Sequence, residues 1–165
     1  MIIYLVGMPG AGKSVVGREL AARLGVPFID LDAEIERSTG RGVSEIFEEQ
    51  GESAFRALEA DALVKAGTQD PSVVACGGGV VLEPANRITL RATGVAVYLE
   101  VPLEQLHARV RPASDRPLIR REGDIERLLQ ERESLYREFA AHVVDGGGTP
   151  AEVAAAIEEE LRWSA

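Results

Sequence analysis

The 165-residue chain contains one cysteine, Cys76, two lysines, Lys13 and Lys65, and two histidines, His107 and His142. A single cysteine excludes an internal disulfide framework and fits a reducing compartment. Neither histidine has metal-ligand spacing or a partner motif nearby, so neither is expected to carry chemistry. No apolar run approaches the ~20 residues that a membrane span requires. Apolar patterning begins at residue 2, which leaves no room for an export signal and predicts a cytoplasmic protein without a membrane partner. No repeat, low-complexity segment or conspicuous exposed apolar stripe is visible, so a monomer is expected. A net charge of −9 lacks the basic field of a nucleic-acid binder. The same acidity means that a polyanionic ligand must be held by local positive charge.

Against this background one stretch stands out. Residues 7–14 read Gly-Met-Pro-Gly-Ala-Gly-Lys-Ser and fit G-x-x-x-x-G-K-[ST] without a mismatch. An apolar run over 2–6 precedes them and reads as a buried strand. Residues 15–24 follow as a helix, with Val16, Leu20 and Leu24 on one stripe. Glycines let the backbone curl so that successive N–H groups face phosphate oxygens, and the helix N-terminus adds its partial positive charge. Gly10, Ala11, Gly12, Lys13, Ser14 and Val15 are the candidate cradle for ATP, with Lys13 reaching the β/γ-phosphates and the Ser14 hydroxyl on Mg²⁺. The competing reading is a glycine turn with a chance lysine.

The rest of the chain alternates strand and helix. Strands are predicted over 27–31, 72–76, 95–99 and 142–144. Helices are predicted over 33–39, 43–50, 52–66, 83–93, 103–110 and 124–140, with a last one opening at Thr149 and Pro150. Five short apolar strands separated by helices indicate an α/β fold, a parallel sheet sandwiched between helical layers, built as a single domain over 1–165. In such a sheet ligands bind at the carboxyl ends of the strands, and the polar punctuation of this sequence falls there.

Asp30 and Asp32 end the second strand. Two carboxylates so close need a cation or a division of labour. Asp30 is the candidate for the Mg²⁺ shell, through water, and Asp32 for the group facing an acceptor hydroxyl, with a helix N-cap as the competing role of Asp32. Gly77, Gly78 and Gly79 follow the third strand, where either close backbone approach to a ligand or a tight turn would require them. Cys76 reads as a small buried residue rather than a nucleophile. Arg56, near a helix start, runs against the macrodipole, which leaves a ligand role and a surface ion pair to Glu59 or Glu52 both open. Arg132 alone reads as a solvated helix residue. Residues 109–121 carry Arg109, Arg111, Arg116, Arg120 and Arg121, stiffened by Pro112 and Pro117. This segment suits either a basic surface loop or a lid in which Arg116 neutralises charge on a transferring phosphoryl group.

Taken in order, the P-loop, Asp30-Leu31-Asp32, Phe55-Arg56, the three glycines, Asp115-Arg116-Pro117-Leu118 and Arg132-x-x-x-Tyr136 resemble the shikimate kinases over nearly the full chain. The resemblance implies a P-loop kinase fold like that of the nucleoside monophosphate kinases, with strand order 2-3-1-4-5. It also implies a substrate-binding helical segment at about 32–60 and a lid at about 111–123. It implies transfer of the γ-phosphoryl group of ATP to the 3-hydroxyl of shikimate, with Mg²⁺. Asp32 matches the aspartate that holds the substrate hydroxyls, Arg56 and Arg132 the pair on its carboxylate, and Gly78 with its neighbours the glycines presenting backbone N–H. Arg116 matches the lid arginine on the phosphates and Arg109 the arginine packed on adenine. Lys13, Asp32 and Arg116 are then the catalytic set. The segment 145–150 lies where the family folds over adenine, yet it is glycine-rich and lacks the arginine that some relatives place there. A kinase of another small hydroxy acid, such as gluconate, and a nucleotide-dependent switch or binding module are the alternative readings.

Overall fold

The computed structural model describes residues 1–110 and 116–163. Among them lie five strands and eight helices: β1 (Ile2–Val6), α1 (Lys13–Leu24), β2 (Phe28–Asp30), α2 (Leu31–Thr39), α3 (Val43–Gln50), α4 (Glu52–Ala66), β3 (Ser72–Ala75), α5 (Pro84–Thr93), β4 (Gly94–Glu100), α6 (Leu103–Arg109), α7 (Asp124–Phe139), β5 (His142–Asp145) and α8 (Pro150–Trp163). A single 3₁₀ turn over Val80–Leu82 follows β3, an element the apolar pattern does not announce.

The strands form one sheet in the order β2-β3-β1-β4-β5, every pair parallel. This is the order implied by the family resemblance. Strand β1 lies at the centre with all five residues buried, as a strand covered on both faces requires. No helix among the described residues is long and apolar enough to cross a membrane.

Element boundaries move by one or two residues from their predicted positions, and one shift matters. The second strand stops at Asp30 because its carboxylate accepts the Ala33 N–H at 3.3 Å and caps α2. The cap is therefore Asp30, and Asp32 lies inside the first turn. In α1, Val16 and Leu20 are buried as expected, whereas Leu24 at the helix end is exposed. A Cβ on Gly17 would lie 2.5 Å from the Phe28 ring, so the glycine inside this helix lets α1 settle onto β2.

Helices α2, α3 and α4 gather around a small apolar cluster of their own, Ile35, Ile46 and Phe55, separate from the main core. The Phe47 and Phe55 rings meet there with centroids 4.8 Å apart, tilted at 39°. This subsidiary core covers the segment at 32–60 and holds it over the carboxyl edge of the sheet.

Candidate active site

At the carboxyl ends of β1, β2 and β3 a cavity of about 650 Å³ opens. The residues singled out by sequence converge on it: Gly10, Gly12, Lys13, Ser14, Val15, Asp30, Asp32, Arg56, the three glycines, Arg109, Arg116 and Arg132 all line its wall. Ala11 is the exception. Its side chain is buried and its N–H donates to the Met8 carbonyl at 3.1 Å, so it shapes the loop from behind instead of facing the cavity. Of the arginine-rich segment, Arg111, Pro112 and Asp115, with the first five positions of the expected lid, lie outside the described residues.

The loop before α1 is built from backbone. Gly10 and Gly12 have φ of 85° and 89°, a region that L side chains rarely enter. No side chain caps α1, and the first N–H groups of a helix have no partner of their own within it. These donors are left for a ligand. The buried Lys13 ammonium donates to the Gly7 and Met8 carbonyls at 2.8 Å each. Burial pulls its pKa down to about 8, against the opposing pull of Asp32. Ser14 Oγ donates to Asp30 Oδ2 at 2.5 Å, so Asp30 serves the P-loop hydroxyl and the α2 cap together.

Across the cavity the wall is made of side chains from distant elements. Asp32 carries a buried Oδ1 with no hydrogen-bond partner among the described residues. Burial, and then the neighbouring Asp30, raises its pKa, while Lys13 and Arg56 draw it back. Arg56 Nη1 donates to Glu59 Oε1 at 2.8 Å, and Nη2 to Glu52 at 3.2 Å. The ion pair weighed from sequence as a surface contact is thus formed at Glu59 inside the protein, where Glu59 has 0% exposure, and Arg56 lines the cavity at the same time. Burial pushes the Glu59 carboxyl up, while Arg56 holds it down. Arg132 is 3% exposed, which overturns its reading as a solvated residue.

Glu59 and Arg132 share a signal visible in the sequence. On α7, Ile125, Leu128, Arg132, Tyr136 and Phe139 form the buried stripe, and on α4 Glu59 lies in line with Phe55, Leu63 and Ala66. A charge on an apolar stripe must find a partner or a ligand.

The three glycines are explained by close approach. A Cβ on Gly79 would lie 2.3 Å from both terminal nitrogens of Arg56, one on Gly77 2.5 Å from Glu59 Oε2, and one on Gly78 2.9 Å from Pro9. A side chain at any of the three would displace Arg56, Glu59 or Pro9, all of which wall the cavity. Cys76, just before them, is buried with its thiol pKa pushed up by burial, so it stays a neutral packing group.

At the other end of the cavity Arg109 bridges two loops. It reaches the Gly10 carbonyl at 3.5 Å and the Gly146 carbonyl at 3.3 Å. Beyond Arg116, Ile119 is buried in the main core, which anchors the C-terminal end of the expected lid, and Arg120 pairs with Glu48 on α3 at 3.4 Å. Neither histidine reaches the cavity wall. His107 hydrogen-bonds Glu126 at 2.6 Å on the surface, and His142 lies 3.5 Å from Glu160.

Five cations, Lys13, Arg56, Arg109, Arg116 and Arg132, therefore surround one cavity in a chain of net charge −9. Such an arrangement can hold a polyanion beside a small acid. The comparisons with known proteins agree. A sequence model described as shikimate kinase matches residues 9–162. The chain is 46% identical to the shikimate kinase of Aromatoleum aromaticum, over 98% of this chain and 95% of that protein. With the shikimate kinase of Halorhodospira halophila it shares 48% identity over 97% and 93%. Shikimate kinase from Acinetobacter baumannii, solved in complex with shikimate, matches with a TM-score of 0.95 at 38% identity, over 99% of this chain and 93% of that one. A gluconokinase from Sinorhizobium meliloti 1021 gives a TM-score of 0.55 at 22% identity, a likeness of fold alone. The chain belongs to the shikimate kinase family.

Proposed function

We propose that the cavity divides the family reaction into a donor half, residues 7–15 with Arg109 and Arg116, and an acceptor half, Asp32, Arg56, residues 77–79 and Arg132. The enzyme transfers the γ-phosphoryl group of ATP to the 3-hydroxyl of shikimate, giving shikimate 3-phosphate and ADP. In the donor half, the backbone N–H groups of Gly10, Gly12, Lys13, Ser14 and Val15 receive the phosphates, and the Lys13 ammonium turns from the loop carbonyls to the β/γ-oxygens. Arg109 packs against the adenine, and Arg116 offsets charge on the phosphoryl group in flight. In the acceptor half, Arg56 and Arg132 grip the substrate carboxylate, a match of planar forks to a planar acid. The unpartnered Asp32 oxygen receives the 3-hydroxyl. The hydroxyl oxygen bonds to the γ-phosphorus, the bond from that phosphorus to the β,γ-bridging oxygen breaks, and the hydroxyl proton passes to Asp32. Its raised pKa suits it to that proton. Positioning and charge neutralisation supply most of the rate.

Ser14 Oγ and Asp30 fit a Mg²⁺ ion carried in with the nucleotide. They form a pair of hard oxygen donors in contact, and the described residues contain no cluster of three or more His, Cys, Asp or Glu side chains able to hold an ion without it. Mg²⁺ binds in this fashion, through one or two protein oxygens, water and phosphate, and there supplies charge neutralisation at the β/γ-oxygens. The net charge supports a protein that binds no nucleic acid. The exposed large apolar side chains Val64, Ile88 and Val143, on three separate elements, support a monomer that binds no membrane. The single free cysteine fits the cytoplasm, and the chain is read as one domain over 1–165.

The observation that carries this reading is the pairing of buried Arg56 and Arg132 beside the free Asp32 oxygen, across one cavity from the P-loop. A coupled ADP-release assay with shikimate, gluconate and nucleoside monophosphates tests it. Turnover is expected with shikimate alone, and ATP hydrolysis without an acceptor is expected to stay negligible. Turnover with gluconate and none with shikimate would overturn it.

A further inference from the structure

Tyr136 ends the Arg132-x-x-x-Tyr136 pattern, and the reaction described above gives it no part. It is fully buried on α7, its ring stacked on Tyr98 at 5.0 Å and 21°. Its hydroxyl donates to the Gly78 carbonyl. The Arg132 guanidinium, one helical turn earlier, lies close enough to draw the phenol pKa down against the effect of burial. Arg132 Nη1 also lies 3.3 Å from where a Cβ on Gly78 would sit, with the Pro9 ring 2.9 Å from that point. The phenol thus lies where two parts of the acceptor half distant in sequence meet, the glycine strip after β3 and the Arg132 guanidinium on α7.

The peptide linking Gly78 to Gly79 is trans, since the one cis bond of the described residues is at Asp70-Pro71. In a trans peptide the C=O of one residue and the N–H of the next point in opposite directions across one rigid plane. Holding the Gly78 carbonyl against buried Tyr136 therefore turns the Gly79 N–H to the other side. No hydrogen bond from the N–H groups of residues 77–79 to another described residue is formed, and all three glycines line the cavity. Glycine is also the residue least able to hold its own peptide orientation, so this strip needs an external fix.

We infer that Tyr136 is a positioning residue for the acceptor: its hydroxyl locks the plane of the Gly78–Gly79 peptide and holds Arg132 beside it, so that one backbone N–H and one guanidinium meet the small acid together. This rests on the reading of residues 77–79 and Arg132 as the acceptor half. Burial pushes the phenol pKa up to about 12, so the donor proton stays in place through the working pH range.

The test is Tyr136→Phe, which removes the donor and keeps the ring stack. Its shikimate KM, and the shikimate Kd by calorimetry, are expected to rise about tenfold, the value of one buried hydrogen bond, while KM for ATP changes less than twofold. Tyr98→Phe, which takes a hydroxyl from the stacked ring and none from Gly78, is expected to leave both KM values within twofold. If Tyr136→Phe folds poorly, 4-fluorophenylalanine at position 136 fills the volume of the oxygen without a donor proton and is expected to give the same split. An unchanged shikimate KM in the folded variant, or an equal rise in both KM values, overturns the inference. Failure of the wild type to turn over shikimate at all would instead overturn the functional reading beneath it.

Discussion

The two halves of the cavity are built by opposite means. The donor half is built chiefly on one contiguous stretch of backbone, a glycine loop at positive φ and the uncapped start of α1 with one buried lysine, to which Arg109 and Arg116 add side chains from farther along the chain. The acceptor half is assembled from α2, α4, the turn after β3 and α7, and made of charged side chains fitted against glycines. A backbone cradle binds any triphosphate of the right length, because N–H groups read charge and spacing alone. Side chains from three helices, set against a strip of glycines, can fit one small acid and reject another. On the proposed reading, the loop accounts for the nucleotide and the opposite wall for the substrate.

The sharpest way to separate the halves is Lys13→Ala. It is expected to cut kcat by roughly three orders of magnitude, as loss of a cation at the transferring phosphoryl group does, while calorimetry shows shikimate still bound. Loss of shikimate binding as well would mean that the halves are not separable. Arg132→Ala and Arg56→Ala come next. Each removes a charge-assisted fork worth about 1.5–3 kcal/mol per hydrogen bond, so the shikimate KM is expected to rise ~100-fold with the ATP KM nearly constant. Equal loss of both affinities would contradict the division. A gentler version acts through shape alone. At Gly79, whose φ of −96° any residue tolerates, Gly79→Ala puts a methyl against Arg56. The expected result is a tenfold or smaller rise in the shikimate KM without a change for ATP.

A pH titration sharpens the comparison further. The Lys13 pKa is lowered to about 8, so the ammonium is present below that pH and lost above it. kcat/KM for ATP is expected to fall as pH rises through about 8. Saturating ATP brings negative charge that restores the proton, so kcat falls at higher pH. The binary affinity for shikimate, gripped by guanidiniums that keep their charge, is expected to stay flat over the same range; a parallel decline would place Lys13 in both halves. For stability the sign is opposite. The unfolded chain keeps this proton up to its ordinary pKa near 10.5, so between the two values the cost of burying Lys13 shrinks as pH rises. The smallest effect is expected at His107→Phe. It breaks an exposed pair with Glu126 that is worth at most about 1 kcal/mol, leaving both KM values unchanged.

What could be read from the chain divides along the same line. The loop at 7–14 was legible residue by residue, apart from Ala11, whose N–H the loop turns inward. The helices at 43–50 and 52–66 fell where their flanking glycines place them. The roles of Asp30 and Asp32 were harder. Both cap and metal readings depend on where the strand stops, and a three-residue edge strand leaves that to the competition between a ladder bond and a capping bond. Arg132 looked solvated because its neighbours Glu131 and Glu133 are charged, although the stripe from Ile125 through Leu128 to Tyr136 runs through it. The partnership of Arg56 with Glu59 was anticipated, but not its burial.

The sequence by itself determined the parallel α/β architecture, the phosphate loop and, through the ordered set of motifs, the family. These rest on backbone dihedrals, hydrogen-bonding period and local spacing, which operate within a few residues. Only the tertiary structure decided which charges face inward. A helix with charges on several faces carries no internal statement of which one is covered, and the answer comes from α4 and α7 packing against the turn after β3. There the glycines leave room for Arg56, Glu59 and Arg132, and Tyr136 reaches the Gly78 carbonyl.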